Sequence, residues 1–254
     1  MTTVYQEPTY YELAFSFRDI DGEADALAAI ADRHVDGPVR SVFEVACGSA
    51  PHLPALLRKG YRYLGLDISE PMLAFARRRA AALGGSAQFL QGSLADFALP
   101  EQADLAVVFL GSLYVTSTTE LTSHFDAMAR ALRPGGLYVL DWCVDFAPGV
   151  DIVDTWEEER DGVAVQVTYT SRSISRLEQT YRERLALEIN DHGRRFTLEE
   201  ESVKRAIYPQ EFLLFLRARD DFEHVGWWPE WRMDAPVDGV EGMGRVVTGV
   251  RRLG

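Results

Sequence analysis

The stretch VFEVACGSA, residues 42–50, decides the fold, because a mostly apolar run ends there in a loop of small residues. The run extends from Val39 to Ala46, and short runs of this kind are typical of strands buried in a parallel sheet. Small residues after such a strand allow a nucleotide-like ligand to approach the backbone closely. The stretch therefore predicts an α/β domain with a ligand site at the carboxyl end of its first strand.

A second strand, residues 61–68, contains Asp67 near its end, 23 residues after Glu44. This separation corresponds to about one strand–helix–strand step of an α/β fold. A carboxylate at this point can accept hydrogen bonds from both hydroxyl groups of a ribose. Asp67 could instead cap the helix that follows, although Ser69 is better placed for that role. We therefore expect Asp67 to bind a ribose.

Strands and helices alternate along the chain, which predicts a mostly parallel sheet with helices on both faces. Apolar spacings of three and four residues across residues 10–35 predict an N-terminal helix. The fourth strand, residues 105–110, is apolar throughout and is expected at the centre of the sheet. The fold class is therefore α/β with seven core strands. The other predicted elements are helices at 52–59, 70–83, 119–132 and 209–219, and strands at 87–91, 137–144, 222–228 and 245–250.

Between residues 148 and 208 the pattern changes to alternating apolar and polar residues, as at Val163, Val165 and Val167. Such alternation is typical of antiparallel strands with one buried face. Residues 160–162 and 190–193 have the composition of hairpin turns. We expect this segment to form a small antiparallel β-sheet inserted into the α/β domain.

The 254 residues carry a formal net charge of −13, which disfavours binding to phosphate backbones and to anionic membranes. The N-terminus lacks the basic and apolar regions of a signal peptide, and no apolar run is long enough to span a membrane. The two cysteines are too few for a disulfide framework or a zinc site. We therefore expect a cytoplasmic protein without a nucleic-acid, membrane or metal partner.

Five segments, in order, resemble the motifs of the class I S-adenosylmethionine (SAM)-dependent methyltransferases. The first motif of that family, [ED]-x-G-x-G-x-G, stands here as residues 44–50, with alanine at the first and third glycine positions. The other four are GLDISEPML at 65–73, QGSL at 91–94, ADLAVVF at 103–109 and ALRPGG at 131–136. The resemblance covers residues 37–145 and, in outline, the last 45 residues. It implies a Rossmann-like sheet, with SAM as cofactor and S-adenosylhomocysteine (SAH) as its product.

The resemblance also assigns roles at the cofactor site. Glu44 would organise the loop after the first strand, which would pass beside the methionine part of SAM. Ile68 and Met72 would pack on the adenine, with Ser93 and Leu94 at its edge. The implied cofactor residues of the core are Glu44, Ala46, Cys47, Gly48, Asp67, Ile68, Met72, Ser93, Leu94, Phe109 and Leu110, of which the last two would lie near the sulfonium.

In relatives the N-terminal helix often covers the cofactor, so residues 1–36 are interpreted as a helical lid. Within it, Tyr11 or Arg18 would hold the SAM carboxylate, since arginine forms bidentate pairs with carboxylates. For Arg18 the alternative is a solvated helix residue beside Asp19. The remaining predicted domains are a SAM-binding core at 37–147, the acceptor-side sheet at 148–208, and the last helix and strands of the core at 209–254.

In glycine N-methyltransferases and in the N,N-dimethyltransferases of deoxyaminosugars, an antiparallel insertion covers the acceptor pocket. By this resemblance Tyr114, Trp142 and Tyr169 would bind the acceptor. The aromatic residues of the insertion could alternatively form a small core of their own. No catalytic residue is identified, and the candidates are Tyr114 and His52.

These features predict an enzyme that transfers a methyl group from SAM to an N or O nucleophile of a small-molecule metabolite, as a monomer or a homodimer. The alternative is a catalytically degenerate SAM-binding interaction module, because two motif glycines are alanines. A nicotinamide-dependent oxidoreductase is disfavoured, since the chain lacks both G-x-G-x-x-G after the first strand and a Tyr-x-x-x-Lys pair.

Overall fold

The computed structural model of the protein describes residues 3–147, 149–235, 237 and 244–254. These ranges contain six α-helices and eleven strands, and the strands form two sheets, one of seven strands and one of four. Pro148, where the insertion is predicted to begin, lies outside the described residues. None of the helices in the described ranges has the length and apolar character needed to cross a bilayer.

The helices and the core strands alternate in the first half of the chain, as the sequence predicts. The helices are α1 Pro8–Ala14, α2 Ile20–His34, α3 Leu53–Arg58, α4 Glu70–Leu83, α5 Thr118–Ala131 and α6 Pro209–Arg219. The core strands are β1 Ser41–Val45, β2 Arg62–Asp67, β3 Ala87–Gln91, β4 Ala103–Val108, β5 Leu132–Asp141, β10 Phe222–Pro229 and β11 Val246–Arg252. The inserted strands are β6 Ile152–Arg160, β7 Val163–Ser175, β8 Thr180–Asp191 and β9 Arg194–Arg205.

The core sheet has the strand order β10-β11-β5-β4-β1-β2-β3, so β4 lies at its centre. The strands are parallel except for β11, which runs antiparallel to both β5 and β10. Both the seven-stranded, mostly parallel sheet and the central position of the fourth strand are confirmed. Because β1, β2 and β4 run in one direction, their carboxyl ends lie along the same edge of the sheet.

Helices cover both faces of the core sheet, which is why its central strands are apolar on both sides. On one face α5 and α6 contribute Phe125 and Phe212, in one apolar cluster with Phe43 of β1. On the other face α2 and α3 contribute Leu27 and Leu56, and the apolar cluster continues into α4. These two layers fix the strand ends on which the candidate site is built.

The start of α4 follows the predicted capping pattern. The Ser69 side chain accepts a hydrogen bond from the backbone N–H of Met72 at 3.5 Å, and Pro71 lies in the first turn. Serine at the N-cap satisfies one of the free N–H groups of the first turn. The prediction that Ser69, rather than Asp67, caps this helix is confirmed.

The prediction of one N-terminal helix over residues 10–35 is wrong. The structure has two helices, α1 and α2, separated by a turn at residues 15–19. Asp19 caps α2 by accepting a hydrogen bond from the backbone N–H of Gly22 at 3.0 Å. The apolar spacing continues across the break because Phe17 fits the helical period, yet its side chain is 60% exposed.

The insertion forms the expected antiparallel sheet, with strand order β6-β7-β8-β9. Tight turns join its strands, with Asp161 and Gly162 at φ 53° and 79° in the first of them. Two successive positive φ values match the twist of the flanking strands. At the hairpin end of the sheet, Val165 and Leu187 pack against Leu13 of α1. The N-terminal segment therefore joins the inserted sheet to the core.

Candidate active site

The loop after β1 adopts the left-handed conformation that its small residues permit. Ala46, Gly48 and Ala50 have φ of 52°, 53° and 53°. The left-handed region costs a residue with a Cβ atom about 1–2 kcal/mol, whereas glycine enters it freely. The two alanines that replace motif glycines therefore keep the glycine-like backbone of the loop at a modest cost in stability.

Asp67 lies at the end of β2 and fixes this loop. Its Oδ2 atom accepts a hydrogen bond from the backbone N–H of Gly48 at 2.8 Å, and its Oδ1 accepts one from that of Ser69 at 2.8 Å. Burial raises the pKa of the Asp67 carboxyl, although the hydrogen bonds from backbone N–H groups oppose that effect. The carboxylate is thus held in one orientation between the first two strands.

Glu44 is buried beneath the same loop. Its Oε2 atom accepts a hydrogen bond from the Tyr63 hydroxyl at 2.7 Å, and its Oε1 lies 3.7 Å from Nδ1 of His52. Burial and the nearby carboxylates of Glu44 and Asp67 raise the pKa of the Cys47 thiol well above its ordinary value. Cys47 is therefore a buried neutral thiol in the loop.

The residues predicted to contact the adenine differ in how far their side chains are exposed. Ile68 is 73% exposed, whereas Met72 is buried in the core. Beyond β3, Ser93 is exposed, and its hydroxyl accepts a hydrogen bond from the backbone N–H of Ala95 at 3.1 Å. Leu94 is half-buried. Among the four predicted side chains, Ile68 offers the apolar surface on which an adenine can stack.

The turn after β4 carries Phe109 and Leu110, the residues predicted to lie near the sulfonium. The Phe109 ring stacks on His52 with ring centroids 3.5 Å apart and an interplanar angle of 11°. Leu110 has φ 54°, and its backbone N–H donates to Oδ2 of Asp141 at 2.8 Å. His52 is fully buried and held by Glu23, with 2.8 Å between Nε2 and Oε2.

Arg18 is buried at the site, so the interpretation as a solvated helix residue is wrong. Its side chain is 6% exposed, and Nη2 lies 2.5 Å from Oε2 of Glu23 and 3.4 Å from Nε2 of His52. Tyr11 packs against the rings of Tyr5 and Phe15. Burial raises the pKa of Tyr11 to about 12, with the Arg18 charge acting in the opposite direction.

Two of the predicted acceptor residues meet at Glu183 of β8, a residue that we did not single out from the sequence. The Tyr169 hydroxyl donates to Oε1 of Glu183 at 2.6 Å, and the Tyr114 hydroxyl donates to Oε2 at 3.1 Å. Lys204 of β9 lies 2.5 Å from Oε1 of the same carboxylate. Burial, and then the Glu183 charge, raise the pKa of Tyr114 and Tyr169 well above the ordinary value. A polar cluster therefore joins the inserted sheet to the loop after β4.

Trp142, the third predicted acceptor residue, lies at the end of β5. Its side chain is 42% exposed, and its backbone has φ 58°. A Cβ atom placed on Gly111 would lie 3.2 Å from the Trp142 carbonyl oxygen and 3.8 Å from Nζ of Lys204. The turn after β4, Trp142 and Lys204 are thus neighbours at the edge of the site.

Several site residues carry a signal in the sequence that we did not use. Glu183 has the same strand parity as Tyr181, Leu185 and Leu187, so an acidic side chain falls on the inward face of β8. His124 is also buried, on the inward face of α5, and its Nδ1 lies 2.7 Å from the Leu94 carbonyl oxygen.

Comparison with known proteins decides the family. A model of the "Methyltransferase domain" family matches residues 42–136. A dTDP-3-amino-3,4,6-trideoxy-alpha-D-glucopyranose N,N-dimethyltransferase of Streptomyces venezuelae is 31% identical over 191 residues, covering 72% of this chain and 73% of the relative. The chain belongs to the class I SAM-dependent methyltransferases. The predicted family, the α/β fold class and the assignment as an enzyme that uses SAM are thereby confirmed.

Solved structures agree with this membership. A SAM-dependent methyltransferase from Clostridium acetobutylicum superposes with a TM-score of 0.80 at 16% identity, covering 97% of both chains, and therefore shows the fold alone. A sugar N-methyltransferase from Streptoalloteichus sp. is 25% identical with a TM-score of 0.72, covering 95% of this chain and 92% of the other. The predicted activity, methyl transfer from SAM to an N or O nucleophile of a small molecule, is confirmed at that level, against the alternative of a non-enzymatic module.

Proposed function

We propose that this methyltransferase acts on the amino group of an amino sugar carried by a nucleotide. The N,N-dimethyltransferase at 31% identity and the sugar N-methyltransferase at 25% identity both bear names that specify a nitrogen acceptor. The observation that carries the proposal is the polar cluster of Glu183, Lys204, Tyr114 and Tyr169 beside the turn after β4. A hydroxyl-bearing, basic acceptor is suited to a cluster of carboxylate, phenol and ammonium groups.

The residues at the strand ends fit SAM, which supplies an electrophilic methyl group. Asp67 has a fixed carboxylate for the ribose hydroxyls, and the exposed Ile68 side chain gives the adenine an apolar surface. The left-handed loop at Gly48 allows close approach of the backbone to the methionine part. Arg18, Phe109 and the turn at Leu110, which are joined through His52 and the strand ends, would border that part.

In this proposal the acceptor nitrogen attacks the methyl carbon as the methyl–sulfur bond breaks, and the cationic amine then loses a proton to solvent. Catalysis depends chiefly on alignment of the two reactants. Tyr114 and Tyr169 act as hydrogen-bonding groups rather than as bases, because burial and the Glu183 charge raise their pKa well above neutral pH.

We further propose that the domains act as assigned from the sequence, with residues 1–36 as a lid and 148–208 on the acceptor side. The enzyme works in the cytoplasm as a monomer or a homodimer, without a nucleic-acid or membrane partner. The formal net charge of −13 supports the exclusion of anionic polymers and surfaces.

The test is methyl transfer from labelled SAM to two matched sugar nucleotides. dTDP-3-amino-3,6-dideoxyglucose offers an amine, and dTDP-6-deoxyglucose offers a hydroxyl at the same carbon. We expect methylation of the amine and little of the hydroxyl compound. Methylation of the hydroxyl compound alone, or of neither by a protein that binds SAH, overturns the proposed acceptor class.

Tyr114→Phe tests the acceptor side within the same assay. Because this change removes the hydroxyl that bonds to Glu183 and leaves the ring, we expect kcat/KM for the amine to fall by about tenfold, the effect of one lost hydrogen bond to a charged group. Tyr10→Phe, which removes a hydroxyl bonded to Asp191 at the far end of the inserted sheet, serves as the control. Unchanged turnover in both Tyr114→Phe and Tyr114→Ala contradicts the assignment.

A further inference from the structure

A buried group of charged residues connects parts of the chain that are far apart in sequence. Glu23 lies in the first turn of α2, Asp141 ends β5, and Arg245 directly precedes β11. The Asp141 side chain is fully buried, and that of Glu23 is 7% exposed. Charges are rarely buried in this way unless they are paired, so their contacts define their role.

Arg245 bridges the two carboxylates. Its Nε and Nη2 atoms donate to Asp141 at 2.7 and 2.5 Å, and its Nη1 lies 2.9 Å from Oε1 of Glu23. Only the planar guanidinium, with donors in several fixed directions, can hold both partners in this geometry. Although burial opposes it, the hydrogen bonds and charges of Asp141 and Glu23 raise the pKa of Arg245.

One arm of this group ends at the turn after β4. Oδ2 of Asp141, which is bonded to Arg245, also accepts the backbone N–H of Leu110 at 2.8 Å. The backbone N–H of Gly111 donates to the Asp141 carbonyl oxygen at 2.9 Å. Leu110 has a positive φ, a conformation that persists in a non-glycine residue where surrounding contacts enforce it. Asp141 supplies those contacts.

The other arm ends at the lid and at the loop after β1. Glu23 holds Arg18 at 2.5 Å and Nε2 of His52 at 2.8 Å, and His52 stacks on Phe109. Burial would raise the pKa of Glu23, but the His52 hydrogen bond and the charges of Arg18 and Arg245 hold it at about 2. Both arms therefore converge on the strand ends that would border the methionine part of SAM in the proposed site.

We propose that Arg245 is a positioning residue for the cofactor, because it fixes the Leu110 turn through Asp141 and the Arg18 guanidinium through Glu23. Two arginines and two carboxylates balance in charge, so loss of Arg245 leaves Glu23 paired with Arg18 and leaves the buried Asp141 carboxylate without its arginine. The turn and Arg18 then lose their common support. A displacement of about 1 Å in the groups that hold a reactant is sufficient to slow a reaction that depends on alignment.

The experiment measures the affinity for SAH by calorimetric titration, alongside thermal unfolding, and is independent of the acceptor. We expect Arg245→Gln to raise the Kd for SAH by about tenfold, in the range typical of residues coupled in one network. Arg245→Lys restores the charge but reaches one carboxylate at a time, so its Kd is expected between those of the wild type and Arg245→Gln. If Arg245→Gln does not fold, Arg245→Lys carries the test.

Two controls separate positioning from stability. Arg251→Gln removes an arginine of β11 that pairs with Glu223 on the surface. Leu216→Ala destabilises the apolar core on the face of the sheet that α5 and α6 cover. We expect both controls to bind SAH within twofold of the wild type. An unchanged Kd in every folded Arg245 variant overturns the proposal, and so does an equal loss of affinity in Leu216→Ala.

Discussion

Asp67 is a single residue whose side chain can account for much of the affinity for the cofactor. Its two oxygens already accept backbone N–H groups from both sides of the candidate cofactor site, which holds the carboxylate in one orientation without using all of its lone pairs. Ribose hydroxyls can therefore add to an arrangement that is already formed. Because hydrogen bonds to a charged group contribute about 1.5–3 kcal/mol each, this one side chain can dominate the affinity for the cofactor.

Asp67→Ala is expected to raise the Kd for SAH at least about tenfold, since a loss of 1.4 kcal/mol corresponds to a factor of ten. Calorimetric titration measures the change. Asp126→Ala is the control, because Asp126 is an exposed carboxylate in the second half of α5 that pairs with Arg219, away from the strand ends. An affinity for SAH within twofold of the wild type in a folded Asp67→Ala protein contradicts the assignment.

At the scale of the element, local residue preferences specify the helices better than they specify the break between α1 and α2. The cap at Ser69 and the turns of the inserted hairpins follow from local residue preferences and appear in the structure where expected. The break between α1 and α2 does not follow from apolar spacing, because Phe17 keeps the period while its side chain remains largely exposed. Asp19 and Gly22 form the competing local signal, a cap followed by a poor helix former.

Ser117→Ala tests capping in a helix that lies outside the cofactor residues. The Ser117 hydroxyl accepts the backbone N–H of Glu120 at 3.2 Å at the start of α5. Its removal is expected to lower the free energy of unfolding by about 1 kcal/mol, measured by urea titration. Ser117→Asn, which keeps a capping oxygen, should stay close to the wild type. Equal stability of the alanine and asparagine variants would mean that the cap contributes nothing.

At the scale of the whole molecule, buried ionisable groups link stability to pH. Burial lowers the pKa of His124 to about 4, so the folded protein keeps this ring neutral where the unfolded chain binds a proton. The resulting stabilisation is fully present above the unfolded pKa of about 6.5 and is lost as the pH falls through 4. The charge of Arg219 also lowers the pKa of His124, whereas the hydrogen bond to the Leu94 carbonyl oxygen opposes the shift.

His124→Gln should therefore weaken the dependence of unfolding free energy on pH between 6.5 and 4, whatever its effect at pH 7. Urea titrations at several pH values in that window give the slope. His192→Asn is the control, because His192 is exposed in a hairpin turn. A slope in His124→Gln as steep as that of the wild type contradicts a neutral buried histidine.

The sequence by itself determined the sheet and the cofactor side of the candidate site. The mostly apolar run at residues 39–46 and the apolar run at residues 105–110 specify buried parallel strands, because such runs are stable only when covered on both faces. The loop after β1 and Asp67 follow from their places at strand ends, since parallel strands bring their carboxyl ends to one edge. These signals are local, because each is read from the residue types of one element or of two neighbouring elements.

Only the tertiary structure decided which side chains join distant elements. Arg245 meets Asp141, 104 positions away in sequence, and Glu183 meets Tyr114 across 69 positions. Charged residues occur throughout the sequence, and nothing local distinguishes those that become buried from those that remain in solvent. Burial depends on how the N-terminal helices, the core and the inserted sheet pack together, and it alone turns these ordinary surface-type residues into paired charges.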